Sequence, residues 1–278
     1  MANKDKPFSS ELLLWGDLRE GALRAKETYG RTDRHSTGIK SLDDYLYGGF
    51  GRTDNWEVFV IHGAYKVGKS TIGLNMLRGA IEDGTKVGLF ILEDDLDTTA
   101  YRLALAMDDP EMLDKRLNDG TVRFLPRKKK GRNRWSLEEM LQELEKWFTD
   151  PVYGVEIIFL DHLQFMFDNA ETNHDYGQWA AQNTFMHDLN DLMDRVKKTI
   201  VIISQENRDK QIAGSIGVPR AATKMVGIDV VKGEPTVRLI QLEPGRNTPS
   251  RETPFRVEIL NTRMYPDALQ NGGVQGGF

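Results

Sequence analysis

Gly63-Ala64-Tyr65-Lys66-Val67-Gly68-Lys69-Ser70 is a complete GxxxxGKS phosphate loop, and no other stretch of this chain restricts its fold so tightly. The loop follows the apolar run Trp56, Val58, Phe59, Val60 and Ile61, and residues 71–78 then carry apolar side chains at helical spacing. That is the strand–loop–helix setting the motif needs. The two glycines let the backbone curl with its N–H groups toward phosphate oxygens. The following helix adds its positive end. Lys69 is placed to reach the outer phosphates, and Ser70 to hold Mg²⁺. Ala64, Tyr65, Lys66, Val67 and Thr71 complete the expected nucleotide-binding stretch, with ATP and Mg²⁺ as its occupants.

Short apolar strands alternate with helical patterns downstream. Strands are expected at residues 56–61, 86–92, 121–125, 155–160, 199–204, 236–242 and 255–260, and helices at 70–82, 97–107, 136–148 and 179–197. This alternation predicts an α/β fold, a P-loop nucleoside triphosphatase core with a mostly parallel central sheet covered by helices on both faces. The expected domain spans residues 36–266. Ahead of it, residues 1–35 read as a helix over 11–25, capped by Ser10, and a polar linker. The apolar side of that helix suits packing on this domain or on a neighbouring subunit. Residues 267–278 read as a flexible Gly-rich tail. The chain has no cysteine, which removes disulfides and thiol chemistry, and its formal charge of -5 leaves local basic patches to decide any nucleic-acid role. No apolar run is long enough for a membrane span, and the N-terminus lacks a signal-peptide core, so a cytoplasmic protein is expected.

Polar residues at strand ends complete the chemistry. The apolar strand Val155-Glu156-Ile157-Ile158-Phe159-Leu160 ends in Asp161, a carboxylate suited to Mg²⁺. Glu93 closes another strand and is the best candidate for the base that activates water. Asp94 and Asp95 compete for that role but suit a cap on the next helix. Gln205 follows the strand at 199–204 and can donate to phosphate while accepting from a neighbour, as a sensor of the terminal phosphate requires.

Taken together, these residues resemble a known family. Thr37-Gly38, Leu42-Asp43 and Gly48-Gly49 are similar to its leading segment, and residues 63–70 to its phosphate loop. Ile158-Phe159-Leu160-Asp161-His162-Leu163-Gln164 resembles its Mg²⁺-aspartate strand, and Ser204-Gln205-Glu206-Asn207-Arg208 its Ser-Gln-x-Asn-Arg element. The family is the motor domain of bacterial-type hexameric replicative helicases and phage helicase-primases, within the RecA-like ATPases. The resemblance covers about residues 36–266 and implies a hexameric ring that moves 5′ to 3′ on single-stranded DNA. Glu93 falls on its catalytic base. Arg263 matches an arginine that reaches the ATP of the adjacent subunit, although Asn261 stands where the family carries lysine; Arg246 is a rival. A primase, polymerase or single-strand-binding protein would be a partner. Residues 1–35 are too short for a primase or a large N-terminal collar, which favours a minimal phage or plasmid motor, or a motor separated from its other domains.

The resemblance places two loops toward the ring centre. Residues 167–178 mix His174 and Tyr176 with Asp168, Glu171 and Asp175 and do not form a basic groove. Residues 209–224 follow Arg208 and carry Lys210, Arg220 and Lys224 around Gly214-Ser215, a composition suited to phosphate contact. A denser cluster, Arg127, Lys128, Lys129, Lys130, Arg132 and Arg134, suits nucleic acid, an acidic partner or plain solvation. Other readings keep the nucleotide core. They are a filament-forming recombination or annealing ATPase, a clock-like regulatory ATPase with protein partners, and a loader or scaffold that binds ATP with little turnover.

Overall fold

Hydrophobic alternation on buried strands sets which helix lies on which face. The computed structural model describes residues 34–52, 56–91, 95–107, 109–125, 136–152, 154–162, 175–206, 212, 217–246, 250–260 and 263–266, with the backbone alone at 110, 175–179 and 266. All fall within the unit Arg34–Phe278, so the expected helix at 11–25 and the tail lie outside the described residues. In chain order the elements are β1 (Arg34–His35), α1 (Lys40–Tyr45), β2 (Phe50–Gly51), β3 (Val58–Gly63), α2 (Lys69–Glu82), β4 (Val87–Ile91), α3 (Leu96–Ala106), α4 (Pro110–Asn118) and β5 (Val122–Leu125). There follow α5 (Leu137–Thr149), β6 (Ile157–Asp161), α6 (Asp175–Val196), β7 (Thr199–Gln205), α7 (Gly217–Ala221), β8 (Lys224–Val231), β9 (Glu234–Glu243), β10 (Phe255–Leu260) and β11 (Arg263–Pro266).

Nine strands form one sheet in the order β11-β10-β9-β8-β3-β7-β6-β4-β5. From β5 to β8 every neighbouring pair is parallel. The pairs β8–β9, β9–β10 and β10–β11 are antiparallel. The expected mostly parallel sheet is therefore present, with an antiparallel edge that sequence alternation did not reveal. β8 carries Gly227 and Asp229, which break its apolar run, and it turns into β9 through only Lys232-Gly233. The side-chain period of two sorts the core. Phe59, Ile61, Phe159 and Val201 face the layer of α1 to α4. Val58, Val60, Leu160, Ile200 and Ile202 face α5, α6 and α7. Each fully buried side chain of this kind contributes roughly 1.5–3 kcal/mol.

Local signals explain several boundaries. Ser136 and Glu139 form a reciprocal cap at the start of α5. Asp109 caps α4, which opens on Pro110 and is a helix beyond those expected from the sequence. In the leading segment, Asp43 of α1 accepts from the Thr37 backbone N–H at 2.7 Å and from Ser36 Oγ at 2.6 Å, which folds residues 36–38 back onto the helix.

Beneath β1 and β2 lies a buried ionic cluster. Glu57 pairs with Arg34 and, at 3.0 Å, with Lys224 Nζ, and it accepts from the Gly51 N–H at 3.1 Å. Lys224 also donates to Leu46 O and Gly49 O. Burial alone would raise the Glu57 carboxyl, but the Lys224 and Arg34 charges hold it below its usual 4.5. Burial pushes the Lys224 ammonium down to about 8, against the pull of Glu57, so it stays largely charged at neutral pH. Glu57→Gln strands two buried cations and is expected to cost about 3 kcal/mol of unfolding free energy at pH 7. A depressed carboxylate stabilises above its unfolded pKa and loses that effect as pH falls through the folded value. The gap between wild type and Glu57→Gln should therefore narrow as pH falls below 4.5 toward the lowered folded value, which urea titrations at pH 7 and at a series of lower pH values check.

Candidate nucleotide site

The site sits where the parallel strands β3, β7, β6 and β4 present their carboxyl ends side by side, the usual place for ligands in such sheets. β3 ends at Gly63, and the loop to α2 closes at Gly68, whose φ of 100° lies in the left-handed region that glycine tolerates. The first N–H groups of α2, which runs 14 residues, open on this loop. Lys69 is buried at 4% exposure and donates from Nζ to Ala64 O at 2.8 Å. Arg238, from β9, donates through Nε to Val67 O at 2.6 Å and braces the loop from the antiparallel edge.

The two residues expected to hold a metal are brought together. Ser70 Oγ donates to Asp161 Oδ1 at 3.2 Å across the gap between α2 and the end of β6. Hydroxyl and carboxylate oxygens are hard donors of the kind Mg²⁺ prefers, and one such pair plus nucleotide phosphates and waters is its common ligand set. The residues present thus fit Mg²⁺–ATP. No cluster of three or more His, Cys, Asp or Glu suited to a metal occurs among the described residues.

Gln205 ends β7 directly opposite Gly63, and Glu206 N–H donates to Gly63 O at 3.0 Å. The expected sensor is therefore zipped to the first residue of the phosphate loop. Ile91, the last residue of β4, pairs with Asp161. Glu93 lies two positions farther on, outside the described residues. Asp95 is the helix cap it was expected to be, since it accepts from the Thr98 backbone N–H at 2.7 Å at the start of α3.

A cavity of about 340 Å³ covers the loop, lined by Tyr65, Lys66, Gly68, Lys69, Ser70, Thr71, Arg102 and His162. Sequence reasoning did not place Arg102 beside this cavity. Its Nη2 donates to Thr71 Oγ1 at 3.3 Å, so a second cation stands beside the loop. The Asp95 cap sets the register of α3, but nothing in the spacing tells that this helix runs along α2. His162, in a left-handed conformation with φ 65°, is buried against the same cavity.

Arg263 is held by backbone carbonyls of its own chain. Its Nε donates to Leu105 O at 3.2 Å and its Nη2 to Met107 O at 2.6 Å, at the carboxyl end of α3. Among the expected DNA contacts, Arg220 is exposed on α7. Lys224 is a correction. At 1% exposure, paired to Glu57 and aligned with Phe59 near the start of β3, its ammonium serves the core at the sheet end opposite the phosphate loop. Arg208, Lys210 and the basic cluster with Arg127, Lys128, Lys129 and Lys130 lie outside the described residues. So do residues 167–174, while residues 175–178, expected in a loop, open α6.

The fold and loop together define a nucleotide-binding ATPase of the RecA type. A family profile described as the KaiC ATPase matches residues 35–264, and the chain belongs to that family. Solved structures with the same fold include an ATPase domain that aligns at 15% identity and TM-score 0.67, covering 94% of this chain and 99% of that one. A KaiC-like protein of the hyperthermophilic archaeon Pyrococcus horikoshii aligns at 16% identity and TM-score 0.66, covering 84% and 99%. A DnaB-like replicative helicase, described with its primase interactions, aligns at 13% identity and TM-score 0.70, covering 94% and 67%. A sequence comparison with curated proteins finds no match. No described helix is long and apolar enough to cross a membrane.

Proposed function

We propose that this chain is an ATP-driven DNA helicase motor, a ring of six subunits moving 5′ to 3′ along single-stranded DNA in the cytoplasm. One observation carries the reading. Gln205 pairs with the phosphate loop, and the next residue, Glu206, bridges back to Ile212, so the loop expected to touch DNA grows directly out of the phosphate sensor. A change at the terminal phosphate is thereby linked to a DNA-facing segment through one strand end. The likeness to a DnaB-like helicase supports the same reading and makes a primase the partner class to try first.

In this mechanism Lys69 and the α2 N–H groups bind the phosphates, with Arg102 alongside. Ser70 and Asp161 hold Mg²⁺, which when bound neutralises charge on the outer phosphate oxygens. Glu93 takes the proton of the attacking water. Gln205 reads the terminal phosphate, and Arg263 of a neighbouring subunit stabilises the transferring charge. Arg208, Lys210, the exposed Arg220 and the cluster around Arg127, Lys128, Lys129 and Lys130 supply phosphate contacts to DNA.

Single-stranded DNA is expected to stimulate ATP turnover and to bind more weakly as salt rises. Arg220→Ala should reduce that stimulation about threefold while leaving ATP affinity within about twofold. Turnover with and without DNA, forked-DNA unwinding and particle mass in one buffer check this. The KaiC family match favours a second reading, a regulatory ATPase with protein partners, which takes first place if DNA changes neither turnover nor assembly.

A further inference from the structure

One buried titratable group near the site has no part in the mechanism above. His62 is the residue of β3 just before the phosphate loop, and it is 4% exposed. Its ring lies between two carboxylates. Nδ1 meets Glu206 Oε1 at 2.8 Å, and Nε2 faces Glu243 Oε2 at 3.2 Å, an ion-pair distance without hydrogen-bond geometry. Only a doubly protonated imidazole presents an N–H to both. Its strand neighbours opposite are Ser204 on β7 and Gly227 on β8, neither of which carries charge. Gly227 makes the room, because a Cβ there would stand 2.6 Å from Glu243 Oε1 and 3.3 Å from His62 Cε1. The titratable groups facing the ring among the described residues are thus Glu206, at the end of β7, and Glu243, the last residue of β9.

We propose that His62 is a positioning residue that clamps the Gln205–Glu206 strand end to the phosphate-loop strand and to the end of β9, and so couples nucleotide state to the DNA-facing loop. The proposal rests on the helicase reading for its DNA arm. The chemistry follows from three connections. Glu206 is covalently next to the sensor and bridges Ile212. His62 is covalently next to Gly63. Glu243 precedes Pro244-Gly245-Arg246, whose Arg246 N–H is held by Ala222 O near the far end of the same loop, at 2.9 Å. With the ring charged, these three chain ends move as one body. With the ring neutral, one carboxylate loses its donor and the clamp loosens to the backbone pairing alone, with the Glu206 N–H still on Gly63 O. Burial works against charging the ring, yet Glu243 and Glu206 outweigh it and hold the imidazole above its usual 6.5. Clamping is therefore full at pH values below about 6.5 and is lost as pH rises through the raised folded value.

Two measurements on the full chain test this. Histidine ring NMR, with His62 assigned by its absence in His62→Gln, should give a His62 midpoint above 6.5. Glu243→Gln, an isosteric change at a partly exposed position, should lower that midpoint. In parallel, DNA stimulation of ATP turnover should fade with pH at the wild-type midpoint, fade earlier in Glu243→Gln, and be about fivefold weaker and flat with pH in His62→Gln. ATP affinity should stay within about twofold in both variants. A merely structural histidine would lower stability without moving any pH midpoint, and that result overturns the proposal. So does a His62 midpoint at or below 6.5. If DNA fails to stimulate the wild type at any pH, the helicase reading fails by itself. The clamp is then judged by whether a non-hydrolysed ATP analogue shifts the His62 midpoint, and no shift overturns it.

Discussion

Lys69→Ala is expected to lower ATP turnover by about 10³-fold and to abolish tight ATP binding. The reason lies in how the loop is built. The loop and the α2 N–H groups contribute partial charges, whereas Lys69 carries a whole positive charge at the head of α2. In the low-dielectric floor of the site, where Lys69 is 4% exposed, that charge acts with little screening. Alanine removes it while leaving Gly63, Gly68 and the Ser70–Asp161 contact in place. The structural loss is one acceptor partner, since Ala64 O no longer receives the ammonium. That costs about 1 kcal/mol, small beside the catalytic effect. Steady-state turnover, equilibrium binding of a fluorescent ATP analogue and thermal melting separate the two. Turnover within about tenfold of wild type would contradict the assignment.

The legible parts of this molecule share one property, which is that their signals are local. Residues 56–78 encode strand, loop and helix in consecutive positions, and the structure forms β3, the loop and α2 there. Asp161 and Gln205 are legible because each closes an apolar run, and parallel strands bring such ends to one edge. Contact between Ser70 and Asp161 follows from that rule alone. What escaped reading depends on pairings between distant segments. Lys224 looked like a DNA contact because it lies among bases and glycines, but β8 runs beside β3 and delivers it to Glu57. Nothing local singles out His62, because its carboxylate neighbours Glu206 and Glu243 arrive from the ends of β7 and β9. Arg102 sits on a helix whose existence was legible and whose neighbour was not. The antiparallel edge escaped because β8 is broken by Gly227 and Asp229, so period-two alternation fails where the sheet changes direction.

Mixing Arg263→Ala chains with Lys69→Ala chains is expected to restore part of the activity that each lacks alone. Arg263→Ala by itself should lose about 10³-fold in turnover if its guanidinium completes a neighbour's site. In one chain that guanidinium donates to Leu105 O and Met107 O, so two roles compete. The first is a clasp on the carboxyl end of α3, where a cation satisfies orphan carbonyls. The second is a finger that leaves those carbonyls for the phosphate of an adjacent subunit. The clasp predicts a modest stability loss, about 1 kcal/mol, and no gain on mixing. The finger predicts complementation, because an Arg263→Ala subunit keeps an intact phosphate loop and a Lys69→Ala subunit keeps an intact arginine. Random mixing would place some intact loops beside intact arginines and revive turnover only in assemblies that hold both. Turnover against mixing ratio, with particle mass measured alongside, distinguishes the two. A flat response at constant assembly would assign Arg263 to the clasp and return Arg246 as the residue to replace next.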